Sequence, residues 1–209
     1  LKVDLNTKKA HSTWNVAYYG GNLTTSSDFI GGGNADIKKI EVFTLSHGGY
    51  PMTRNASTSD IPANEDDFVR ITRAITRFSP IRSDIMKGSV EPKPNMWANC
   101  YRAKRDGKRI NNLYKLCAQK GPSVVLIETD KGKKMAWYNP FGLRPAGHNT
   151  DMGGMYTNNA FVYNLLDHSI AYSRQRAQYA VYDVWNLGPS FGNANDLRID
   201  HTLEKGYCY

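Results

Sequence analysis

The chain has 209 residues, about 40% of them hydrophobic, and a net charge of +8. That is enough apolar content for one sizeable core or two small ones, and no apolar run approaches the length of a membrane span. The positive charge is spread along the chain rather than gathered into a recognisable nucleic-acid module, so nucleic acid is not an expected partner.

The N-terminus, "LKVDLNTKKAHSTW", is too polar for a signal peptide and lacks an initiator Met. The expectation is a processed product, an excised piece or an incomplete chain. Three cysteines form no CxxC pair, and the five histidines, His11, His47, His148, His168 and His201, lie singly. No metal or cofactor is expected.

Along the chain, "STWNVAYYGG" reads as a strand closed by a glycine turn. "SSDFIGGGNADIKKIEVFTL" follows, a glycine triplet at Gly31–Gly33 and then a strand. Ile37, Ile40, Val42, Phe43 and Leu45 supply its apolar content, with Lys39 and Glu41 expected to face water. Phe43 breaks the alternation. The triplet lacks the context of a phosphate-binding loop and reads as a permissive turn. "HGGYPMTRNASTSDIPANE" is linker-like.

A helix then starts at Asn64, with Glu65, Asp66 and Asp67 suiting the positive end of its dipole. Phe68, Ile71, Ile75 and Phe78 form one buried stripe, and Arg70, Arg73 and Arg77 take another face. Pro80 ends it. "EPKPN" breaks the chain again before Trp97.

"NCYRAKRDG", residues 99–107, allows three readings: a reactive thiol, a basic patch, or a structural corner. "NNLYKLC" is a short helical turn. "SVVLIE" reads as a strand buried on both faces, "TDKGKK" as a hairpin turn and "MAWYN" as the returning strand. "NAFVYNLL" and "AQYAVYDVW" read as two more strands, and "LGPSFGNANDLRI" as a glycine turn running into another. The fold class expected is α+β, mainly β: an antiparallel two-sheet sandwich with short flanking helices. Residues 1–60 would form N-terminal strands and a linker, and residues 61–209 the main region.

Five ordered pieces of the second half resemble the TLDc domain family. "YRAKRDG" is similar to the family's aromatic-Arg-x-Ser-Arg-Asp-Gly corner, with Lys104 in the place of the serine. "CAQKGPSVVLIET", "MAWYNPFG", "NAFVYNL" and "LGPSFGNANDLRI" resemble its successive strands. Ala136 and Trp137 replace glycines. The resemblance implies two antiparallel sheets packed face to face. The family's domain closes with a strand reading roughly Ile-Glu-Val-Phe; here that text occurs early, in "DFIGGGNADIKKIEVF", and the sequence given stops at "GYCY". Three explanations stand: a circular permutation, a strand that completes a neighbouring unit of a tandem array, or a coincidental likeness. Ile37, Ile40, Val42 and Phe43 are the candidate assembly strand.

The resemblance also implies a Cys100–Cys117 disulfide at one corner, as in cysteine-bearing secreted versions of the family. Cys208 is left over. Arg102, Arg105, Asp106 and Gly107 are read as a structural corner in which Asp106 and Gly107 turn and an arginine holds a carboxylate. Asn22 in "NLT" and Asn55 in "NAS" are candidate N-glycosylation sites.

The expected function is a non-enzymatic protein-interaction and assembly module, an extracellular repeat or fibre unit whose partners are proteins, including copies of itself. The alternative is a cytoplasmic adaptor of the kind the resemblance implies, in oxidative-stress resistance or binding to the vacuolar proton pump. An enzyme using Asp106, Glu128, Asp183 or Asp196 is a third, disfavoured reading, since no signal shows two of these converging.

Overall fold

The computed structural model describes residues 33–45, 59–61, 65–78, 97–144, 159–172, 181–184, 188–191 and 197–208. The expected strand at "STWNVAYYGG", both sequons and Asp196 lie outside these residues. Ten strands are described: β1 Asn34–Leu45, β2 Trp97–Arg102, β3 Ser123–Thr129, β4 Lys134–Asn139, β5 Phe161–Asn164, β6 Ile170–Tyr172, β7 Val181–Val184, β8 Gly188–Phe191, β9 Leu197–Ile199 and β10 Lys205–Cys208. Three helices accompany them: α1 Glu65–Phe78, α2 Ala103–Asp106 and α3 Ile110–Cys117. All strand pairings are antiparallel. The fold is the expected one, mainly β with few short helices.

The strand order is β6-β5-β4-β3-β1-β10-β9-β8-β7, with β2 also paired to β1. β1 therefore belongs to two sheets. Asn34–Asp36 pair with β10, Ile37–Thr44 with β3, and Glu41–Leu45 with β2. One sheet is β2-β1-β3-β4-β5-β6; the other is β1-β10-β9-β8-β7. An irregularity between Ile37 and Lys39 in the β3 register marks where the strand passes from one to the other.

Two apolar layers explain why these residues form strands. Ile40, Val42, Val125, Ile127, Met135, Trp137 and Val162 from the first sheet share one core with Val181, Phe191, Leu197 and Ile199 from the second. The intervening positions, Phe43, Val124, Leu126, Ala136, Tyr138, Phe161 and Tyr163, pack in a second core with Phe68, Ile71 and Ile75 of α1. The first sheet is thus covered on both faces, which is why "SVVLI" is apolar without a break. Helix α1 is held to β2 by Trp97, whose indole N–H donates to Thr72 Oγ1 over 2.9 Å. The Phe68 ring stands edge-on to Phe43, with centroids 5.1 Å apart.

Three expectations need correction. Glu41 does not face water: it is 1% exposed. Phe43 is no lapse in alternation. It shares a face with Glu41, and α1 covers that face. "GPSF" is a strand, β8, rather than part of a turn, and it is paired on both sides, by β7 and β9.

Candidate functional site

Strand β2 leads into a corner that gathers Cys100, Arg102, Arg105, Asp106, Gly107 and Cys117. Its register with β1 jumps from Tyr101 opposite Val42 to Asn99 opposite Phe43, so Cys100 is the extra residue of a bulge. The consequence is visible in the packing. Trp97 and Tyr101, an even number of residues apart, should share a face. Instead Trp97 joins the α1 layer and Tyr101 the core between the sheets. The bulge turns the strand over.

At this bulge Cys100 is joined to Cys117, the last residue of α3, by a disulfide with an S–S distance of 2.00 Å. The bond ties the bulge to the helix that packs against β1 and β2. Leu113, Tyr114 and Cys117 of α3 are buried in the inter-sheet core.

Below the disulfide, the chain makes a single helical turn, α2, closed by Gly107 at φ 83°. The left-handed conformation explains why glycine stands there. Asp106 accepts a hydrogen bond from the Arg102 backbone N–H at 2.8 Å. Arg105 grips the same carboxylate through Nε at 2.7 Å and through Nη2, and its Nη1 reaches Asn99 Oδ1 at 3.1 Å. Arg105 thereby spans the two ends of the corner, and the Asp106 contact holds its guanidinium pKa above the ordinary value. The Tyr101 hydroxyl donates to the Gly107 carbonyl at 2.6 Å. Burial pushes this phenol up to about 12, so it stays a neutral donor.

Arg102 points elsewhere, to the buried carboxylate of Glu41. Its Nε lies 3.1 Å from Oε1. The same carboxylate accepts from Ser59 Oγ at 2.6 Å and from the Asp60 backbone N–H at 2.8 Å. Ile61, fully buried, follows directly. Glu41 thus pins residues 59–61 to β1 while Arg102 ties β2 to it. Lys39 bridges Glu128 on β3, at 3.0 Å, and the Asp60 carbonyl.

Of the candidate acids, Asp106 and Glu128 each meet a different cation, Arg105 and Lys39. The side chain of Asp183 lies outside the described residues, as does that of Cys208. Gly33 is the only described member of the triplet. The described residues hold no group of His, Cys, Asp and Glu placed to bind a metal.

A second polar cluster escaped sequence reasoning. The Tyr163 hydroxyl lies 2.7 Å from His168 Nδ1, and that nitrogen is 3.7 Å from Asp67 Oδ1 on α1. Burial, then the Asp67 charge, push the Tyr163 phenol up to about 12. A histidine at φ 61° in the β5–β6 turn brings the ring back over the tyrosine. No spacing rule predicts that placement.

Compared with protein families, residues 82–209 match the TLDc domain, more than half of the chain. The chain belongs to the TLDc family. Comparison with curated proteins and with solved structures gave no match. Strand β1 lies before the TLDc match, yet it joins the two sheets that the matched residues form.

Proposed function

We propose that this TLDc protein is a non-enzymatic interaction and assembly module in which β1 is the exchangeable part. One observation carries the reading. The strand that joins both sheets lies outside residues 82–209, so the matched region depends on a segment supplied from elsewhere in sequence. Within one chain β1 closes its own domain. Lent to a second copy or to an adjacent repeat, the same strand makes an intermolecular contact from the domain's own hydrogen bonds. Such a head-to-tail contact propagates unless rotation closes a ring. Residues 1–60 would then form a unit that completes a sandwich, and residues 61–209 the sandwich that receives it. The partners are proteins, copies of this chain among them.

The setting we propose is extracellular, in the manner of the cysteine-bearing secreted versions of the family. The Cys100–Cys117 disulfide supports it, because such bonds persist in oxidising compartments. In that setting Asn22 and Asn55 would be glycan acceptors.

The test removes Leu1–Leu45 and adds back a synthetic peptide of residues 33–45. The truncated chain is expected to lose cooperative unfolding and to regain it, with stoichiometric peptide binding, on complementation. A truncated chain that is monomeric, fully stable and indifferent to the peptide rejects the proposal.

A further inference from the structure

The pairing of β1 leaves a gap. Strand β10 accompanies it as far as Asp36, and β2 begins at Glu41. Over the residues between, β3 remains the partner strand, on the opposite edge. A cleft of about 480 Å3 opens at this gap, within the size range of small-molecule sites.

Its walls come from β1, the end of β2 with the start of α2, Lys108 beyond that helix, and residue 60. Five cations line it against two carboxylates, Glu41 and Asp60. Glu41 is fully engaged by Ser59, the Asp60 N–H and Arg102. Lys39 is engaged by Glu128. Three ammonium groups lack a carboxylate among the described residues. Lys108 meets the Ile37 carbonyl at 3.0 Å, and Lys38 and Lys104 meet no partner among the described residues. They sit on separate segments, so they surround the opening instead of forming one surface run. The Asp60 carboxylate has a single described contact, Arg102 Nη1 at 3.6 Å. It is 38% exposed and can accept a hydrogen bond from a ligand hydroxyl.

We propose that this cleft binds a sugar or cyclitol carrying two or more phosphate or sulfate esters. Ester oxygens answer the three lysines, a ring hydroxyl answers Asp60, and the ring fills a space too large for a lone inorganic anion. Lysine suits this role as a mobile point charge. Phosphate and sulfate esters share this chemistry, and the experiment separates them.

The full chain is titrated calorimetrically with inositol hexakisphosphate and, separately, with a trisulfated heparin disaccharide, using inorganic phosphate and unsubstituted inositol for comparison. A saturable one-to-one complex is expected with at least one ester-bearing probe, and which one binds identifies the source. Lys38→Glu with Lys104→Glu should weaken it about tenfold or more. Lys115→Glu with Lys120→Glu makes the same charge change at exposed positions outside the cleft and should leave affinity within about threefold. Thermal melts of both variants check folding. Equal weakening by the two pairs, binding of neither probe, or inorganic phosphate binding as tightly as the esters each overturns the proposal.

Discussion

Replacing Glu41 with Ala tests whether the acid of "KKIEVF" is part of the fold. The side chain is 1% exposed, accepts hydrogen bonds from two donors at 2.6 and 2.8 Å, and forms an ion pair with the Arg102 guanidinium at 3.1 Å. Removing it leaves the Asp60 N–H without its acceptor and takes a carboxylate from Arg102, whose side chain is 17% exposed, while the Ser59 hydroxyl keeps the Ile61 carbonyl at 2.8 Å. Breaking a buried ion pair by deleting one partner costs about 3–5 kcal/mol. Arg102 keeps Asp60 at 3.6 Å and some water, so the low end, about 3 kcal/mol, is expected. For a chain of this size that lowers Tm by roughly 6–12 °C. Glu41→Gln keeps one acceptor oxygen and should cost about 1–3 kcal/mol. Glu128 is the control, because its partner Lys39 is 42% exposed and such pairs contribute about 1 kcal/mol or less. The assay is urea unfolding followed by circular dichroism, with midpoint and slope fitted for each variant. A Glu41→Ala midpoint no lower than that of Glu128→Ala would refute the buried-clamp account.

Reduction, or Cys100→Ala with Cys117→Ala, should lower stability by about 3 kcal/mol, from the entropy of the loop released between residues 17 apart. Mass spectrometry with and without reductant counts the bond directly. Gly142→Ala should be strongly destabilising, because at φ 71° an added Cβ would lie 2.0 Å from the Gly121 carbonyl oxygen. Expression with a thermal melt decides it, and a melt equal to wild type counts against the close approach. Alkali should destabilise the protein between about pH 10 and 12. Tyr101 and Tyr163 have folded pKa values raised from 10.0 to about 12, so their contribution is complete below pH 10 and is lost as pH rises through 12. Tyr101→Phe should flatten that part of the pH–stability curve; a curve unchanged from wild type would count against the buried phenol.

The elements legible in sequence were those with a dense apolar signal. The stripe Phe68, Ile71, Ile75 specified α1, and the unbroken run in β3 announced a sheet covered on both faces. Phe43 carried the same message about β1, in a position that simple alternation assigns to solvent. An apolar Phe43 implies a second buried face, and on that face Glu41 belongs inside as well. Strands β2, β8 and β10 were not legible. "WANCYR", "GPSF" and "KGYC" have little β character alone, and neighbours on either side hold β8 in place. The bulge at Cys100 was beyond local pattern too, since it appears only when β2 is laid against β1. His168 reaches Tyr163 through one left-handed backbone turn, a choice that composition does not encode.

Strand β1 also sets a timetable. Its Asp36 pairs with Lys205, 169 residues further along. On a ribosome adding about 5–20 residues per second, β1 emerges roughly 8–35 s before the strand that closes beside it. Contacts of such long range make folding slow and late. During that interval Ile37, Ile40 and Val42 are in water with one of their two sheets not yet made. A nascent chain in this condition is open to chaperones and to other copies being translated nearby on the same message.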